Sequence, residues 1–272
     1  MSVKQQADGR RSVEVEFDLP GTPEEVWDAI ATGPGMSSWF MPARFDESEG
    51  KPVALVLSFG PGVEPSSRIT AWDPPRRYAG EGEVYGGSPP IATEWNIEAK
   101  AGGMCKVRIV HSLFASTEEW DNQLEGAREG WAGFLNNLRL YMAHFRGQRG
   151  AIMQVSTPVA MTEADAWNAL TTAMGVKGIG IGQHWSTPAN MPALAGVVEA
   201  ATENPFDVLV RLGTPRPGIA ALGAYVFPGG PTTVAMNLYL YGADAAESVG
   251  ALTPVWEEWL KAQFPQAPAQ PV

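Results

Sequence analysis

TPEEVWDAIATGPG (residues 22–35) and TEADAWNALTTAMG (residues 162–175) are two versions of one phrase. At an offset of 140 residues, Thr22, Trp27, Ala29 and Thr32 recur as Thr162, Trp167, Ala169 and Thr172, while Glu25, Asp28 and Ile30 meet Asp165, Asn168 and Leu170. Each begins with a threonine placed to cap a helix and with acidic residues suited to the positive end of that helix. Two further pairs keep the same order along the chain. GGMCKVRIVHSLF (102–114) answers GGPTTVAMNLYLY (229–241) at an offset of 127, and WAGFL (131–135) answers WEEWL (256–260) at an offset of 125. Three anchors with slowly shrinking offsets are the signature of a duplicated unit that has lost loop residues. The chain is therefore expected to hold two units, 11–147 and 152–265, the second degenerate, with RGQRGA (146–151) between them.

Within the first unit, VEVEFDLP (13–20) alternates, placing Val13, Val15, Phe17 and Leu19 on one face of a strand. A helix follows from Thr22 to about Thr32, with Pro23 in its first turn. GPGMSSWFMP reads as a turn and a short second helix carrying Trp39 and Phe40. Strand-like runs come next at about 51–59, 66–72, 77–85, 91–99 and 104–114, separated by turns rich in glycine and proline. Ser116 and Glu119 form a capping box for a long helix ending near Phe145, along which Trp120, Leu124, Ala127, Trp131, Leu135, Leu138 and Met142 recur at helical spacing. In the second unit, Pro254 and Phe264 bracket a shorter closing helix. The fold class is α+β.

The segments TPEEVWDAIAT, SSWFMP (37–42), ITAWDPPRRYAGEGE (69–83), TEWNI (93–97) and GWAGFLNNL (130–138) resemble the START-like, helix-grip superfamily also called SRPBCC. Within it they are similar to the branch of the activator of the heat-shock-protein-90 ATPase. The most specific is WDPPRR at 72–77, which has decayed to ATENPFD (201–207) in the second copy. The resemblance implies a curved antiparallel sheet wrapped around the long C-terminal helix, with an apolar cavity between them. It implies no shared catalytic residue, because members include ligand carriers, cyclases and chaperone regulators.

Composition limits the partners. The 272 residues carry 19 basic and 30 acidic side chains, a net charge of −11, which repels nucleic acid and anionic membrane surfaces. No run approaches the apolar length of a membrane span, and the N-terminus has no signal-like segment, so a cytoplasmic protein is expected. The second half is weakly charged, with 4 basic and 9 acidic residues in 152–272, which suits packing against its sibling or another chain.

A single cysteine, Cys105, excludes an intrachain disulfide and reads as a buried, inert thiol. His111, His144 and His184 lack metal-type spacing, so neither metal nor other cofactor is expected. GIGIG (178–182) lacks the register of a phosphate loop, and Glu118 and Glu119 serve a helix start rather than acid–base chemistry.

His111 shares one strand face with Cys105, Val107, Ile109 and Leu113, which makes it a titratable group on the inward side. A core or rim histidine satisfied by a backbone carbonyl is the simpler reading, and its counterpart in the second copy is Leu238. The expected cavity lining is Trp39, Val53, Leu55, Leu57, Ile69, Trp95, Ile109, His111, Trp131, Leu135 and Leu138, with no catalytic residue assigned. Such a lining would take a small hydrophobic or aromatic ligand in the first unit, with the second unit structural. Two alternatives stand beside it. One is an enzyme of the polyketide aromatase or cyclase type, using His111 with Tyr78 and Arg68. The other is a chaperone-regulating interaction module, with a chaperone or a second copy of the chain as partner.

Overall fold

The computed structural model describes residues 3–5, 10–59, 63–82, 90–113, 121–200, 206–226 and 230–265. The chain divides into two units, Met1–Arg149 and Gly150–Val272.

The first unit begins with β1 (Lys4–Gln5) and β2 (Arg11–Pro20), then α1 (Pro23–Ile30) and α2 (Gly33–Met36). Six strands follow: β3 (Ala43–Ser48), β4 (Lys51–Leu57), β5 (Ser66–Asp73), β6 (Arg77–Gly82), β7 (Ile91–Lys100) and β8 (Met104–Leu113), before α3 (Asp121–His144). Among the described residues the strands form one sheet in the order β1-β2-β8-β7-β6-β5-β4-β3, every neighbouring pair antiparallel. Because β2 returns to pair with β8, the first and last long strands close one side of the sheet, and α3 packs along them.

Local chemistry explains α1. Thr22 and Glu25 exchange hydrogen bonds: the Thr22 N–H donates to Glu25 Oε2 at 2.8 Å, and the Glu25 N–H to Thr22 Oγ1 at 3.3 Å. At the other end, where carbonyls run out of helical partners, Trp39 Nε1 donates to Ala29 O at 2.9 Å and Tyr78 Oη to Ile30 O at 3.0 Å. The short helix is thereby tied to the sheet. Register then sets two rows across the concave face. One runs Val15, Ile109, Trp95, Tyr78 and Trp72; the other runs Val13, His111, Thr93, Gly80 and Ile69.

The second unit repeats the plan with fewer strands. β9 (Gly150–Val159) leads into α4 (Glu163–Ala173), then β10 (His184–Ser186), β11 (Ala195–Ala200), β12 (Asp207–Thr214), β13 (Gly218–Val226), β14 (Thr232–Tyr241) and α5 (Ala245–Gln263). The sheet order is β10-β11-β12-β13-β14-β9 among the described residues. Thr162 caps α4 as Thr22 caps α1, and Trp185 Nε1 donates to Met174 O at 2.9 Å, as Trp39 does at the end of α1. α5 packs on β9 and β14, the counterparts of β2 and β8. The units are tandem helix-grip folds.

Several expectations need correction. Gly150 and Ala151 belong to β9 rather than to a linker. Lys4 and Gln5, ahead of the expected first strand, pair with Ser12 and Arg11. α2 ends at Met36, so Trp39 and Phe40 follow it instead of riding on it. β3, ARFDES, was not expected: it is a polar edge strand with little apolar alternation. Pro254 lies inside α5. The ring removes one helical bond, to the carbonyl of Gly250, whereas burying Trp256 and Leu260 on the turns beyond requires the helix to continue. The expected cap at Ser116 and Glu119, with Glu118 and Trp120, lies outside the described residues.

Candidate functional site

The sheet's two faces are chemically opposite. On the outer face, basic and acidic side chains match across strands: Arg68 with Glu81 at 2.7 Å, Arg77 with Glu94 at 2.7 Å, Lys100 with Asp18 at 2.7 Å, Lys106 with Glu16 at 3.1 Å and Arg108 with Glu14 at 3.5 Å. On the concave face most side chains are aromatic or aliphatic.

The aromatic groups form a continuous lattice. Tyr78 stacks on Trp95 with centroids 6.1 Å apart, Trp95 meets the edge of Trp131 at 5.3 Å, and Trp131 stacks on Phe40 at 5.5 Å. Phe40 in turn meets Phe134 at 4.5 Å and Trp39 at 5.4 Å. Sheet, α3 and the segment after α2 are thus joined through rings whose edge-to-face and stacked contacts are favourable.

Burial varies along this face in a way that matters. Trp39, Trp95, Ile109, Leu135 and Leu138 are sealed, whereas Leu55, Leu57, Ile69, Thr93, His111, Trp131 and Phe134 are only half-buried although they stand on the concave side or on α3. Solvent therefore reaches an apolar surface beneath the helix. Val53, expected in the lining, is 42% exposed. It falls at a register shift, where Asp46 pairs with Ala54 and Glu47 with Pro52, so Val53 has no cross-strand partner.

His111 is a titratable side chain of this surface. Its Nδ1 lies 2.9 Å from Thr93 Oγ1 on the adjacent strand, and its ring stands 6.4 Å from that of Trp131. Burial pushes its pKa down to about 4, so the ring is neutral near pH 7. The partner is a side chain rather than the expected backbone carbonyl. The turn at 101–103 fixes the register that places Thr93 opposite His111, so TEWNI followed by a short turn already carried this pairing.

The two groups considered as helpers to His111 are engaged elsewhere. Tyr78 is fully buried with its hydroxyl on Ile30, and burial raises its pKa. Arg68 points outward to Glu81. Cys105 is sealed, its thiol donating to Gly21 O at 3.3 Å and its pKa raised by burial and by Glu24 and Glu25. Among the described residues, no three His, Cys, Asp or Glu side chains gather as metal ligands would, and no helix is long and apolar enough to cross a membrane.

Residues 10–140, just under half of the chain, match the family model described as polyketide cyclase / dehydrase and lipid transport. Over those residues the first unit is similar to that family. Among solved structures, CalU16 from Micromonospora echinospora is 23% identical, with 53% of this chain and 83% of that one covered at a TM-score of 0.41. The di-domain ARO/CYC BexL from the BE-7585A biosynthetic pathway is 13% identical over 95% of this chain and 100% of its own, at 0.45. The Aha1 dimer from Colwellia psychrerythraea is 19% identical over 50% and 98%, at 0.38. No curated protein gives a significant match.

The second helix-grip unit provides an internal comparison. Where the first pairs Thr93 with His111, the second pairs Ala220 with Leu238, and both are fully buried. Trp256, the counterpart of the half-buried Trp131, is 0% exposed. The reachable surface of the first unit is filled in the second by core packing.

Proposed function

We propose that the first unit binds a small apolar or aromatic molecule between the concave face of its sheet and α3, and that the second unit is structural. The observation that carries this reading is the contrast between the copies. Thr93, His111 and Trp131 remain half-buried in the first unit, while their counterparts Ala220, Leu238 and Trp256 are sealed in a continuous apolar core. Apolar side chains left within reach of water in a folded unit are stabilised when a ligand covers them. The matched family's description, which joins cyclases with lipid transport, supports a hydrophobic ligand.

The cyclase reading is weaker. Of the polar groups it would use, Tyr78 is committed to Ile30 and Arg68 to Glu81, which leaves the His111–Thr93 pair.

Titration with naphthalene, followed by quenching of tryptophan fluorescence, tests the proposal. Saturable binding is expected in the wild type, with at least about tenfold weaker binding in Trp131→Ala, which removes an aromatic wall. Absence of saturable binding in the wild type overturns it.

A further inference from the structure

We propose that this site, read as above as a pocket for an apolar or aromatic molecule, selects uncharged aromatics bearing one hydrogen-bonding oxygen, and that the His111–Thr93 pair recognises that oxygen.

The geometry is specific. Thr93 and His111 are cross-strand partners whose side chains share the concave face, and their 2.9 Å contact occupies the ring at Nδ1. Among the described residues Nε2 has no hydrogen-bond partner. A threonine hydroxyl both donates and accepts, so either neutral tautomer fits the contact. With Thr93 donating to Nδ1, Nε2–H donates to a ketone or quinone oxygen. With Nδ1–H donating to Thr93, Nε2 accepts from a phenol. Neither arrangement requires a charge on the ring. The neighbouring indole of Trp131, edge-on to the imidazole at 6.4 Å, gives a flat ligand a wall beside this polar point.

Among the described residues of β2 and β5 to β8, a carboxylate would find little compensation near His111. The cations of β5 to β8 (Arg68, Arg77, Lys100, Lys106 and Arg108) alternate onto the outer face, each bound to an acidic partner there. Along β2 the acidic residues Glu14, Glu16 and Asp18 face outward as well, opposite Val110, Arg108 and Lys106. Among the described residues of β2 and β5 to β8, the cation on the concave side is Arg11, opposite Leu113 at the far corner of the sheet. The neutral ring of His111 offers a dipole rather than a cation. A buried carboxylate without a charged partner is strongly disfavoured, whereas a phenol or ketone loses only hydrogen bonds that His111 restores.

Three probes of one shape separate these terms: naphthalene, 2-naphthol and the 2-naphthoate anion, titrated at neutral pH against wild type, His111→Leu, Thr93→Val and Arg11→Gln. The wild type is expected to bind 2-naphthol about tenfold tighter than naphthalene, and 2-naphthoate at least about tenfold more weakly than naphthalene. In His111→Leu the naphthol-to-naphthalene ratio should fall to about one, and in Thr93→Val it should fall part of the way. A ratio that His111→Leu leaves unchanged overturns the role of the pair. Binding of 2-naphthoate equal to that of 2-naphthol overturns the selectivity, and its loss in Arg11→Gln would assign recognition to Arg11. If naphthalene itself fails to bind the wild type, the pocket reading falls and this inference with it.

Discussion

His111 and Leu238 occupy the same place in two sheets: His111 lies opposite Val13 on β2, and Leu238 opposite Met153 on β9, the residue 140 positions after Val13. The fold therefore accepts leucine at this register, and His111→Leu is expected to fold. The histidine has a cost that depends on pH. Its native pKa, about 4, lies below the unfolded value near 6.5, so between those values the unfolded chain binds the extra proton. Stability is accordingly highest above about pH 6.5, falls as pH drops toward 4, and has no further dependence on this group below that. Allowing for the half-buried ring, the loss is about 1 to 3 kcal/mol. Urea midpoints at pH 7, 5 and 4 should show this component in the wild type and not in His111→Leu; parallel curves would refute it.

Tyr78 carries a second testable bond, since its hydroxyl meets the last-turn carbonyl of Ile30 across 48 residues. Tyr78→Phe keeps the ring stack on Trp95 and leaves that carbonyl without its partner. The expected loss is about 1 to 2 kcal/mol by chemical denaturation, with naphthalene binding retained. A change below about 0.3 kcal/mol would mean that water replaces the phenol.

Trp131→Ala separates packing from binding. Its spacing on the helix suggests a fully gripped core residue, for which truncation costs about 3 to 5 kcal/mol. The structure leaves it half-buried between Phe40, Trp95 and His111. A smaller loss of about 2 to 3 kcal/mol is expected, together with weakened ligand binding. A loss above 4 kcal/mol without any change in binding would make Trp131 a core residue alone.

What the sequence disclosed follows from period and repetition. The echo of Thr22 to Thr32 and the Gly-Gly strand openings marked the duplication, because each anchor solves the same local problem twice: a capped helix, a turn, a strand beside the first strand. Alternation from Cys105 to Leu113 likewise put His111 on the concave face. Side chains that depend on pairing were harder to read. Thr93 becomes a partner of His111 only when β7 and β8 are aligned, and Val53 stands exposed beside a bulge that composition does not reveal. β3 escaped notice because an edge strand exposed to water has no need of apolar alternation.

Two buried indoles of the second unit, Trp185 and Trp256, provide a paired experiment with opposite expectations. Trp185 Nε1 donates to the carbonyl of Met174 at the end of α4, so Trp185→Phe strands a buried carbonyl as well as removing part of a ring. A loss of about 2 to 3 kcal/mol is expected. Trp256 is equally buried, but among the described residues its Nε1 has no acceptor. Leu238, standing where the first unit has His111, can offer none. In Trp256→Phe the removal of an unsatisfied donor offsets the small cavity left by the smaller ring, and the net change should stay within about 1 kcal/mol of zero. Measuring both variants by urea denaturation under one set of conditions cancels the shared effect of exchanging indole for phenyl. If Trp256→Phe proves as costly as Trp185→Phe, the Trp256 N–H is satisfied in solution, by water or by a bound molecule, and the second core is less completely filled than its burial indicates.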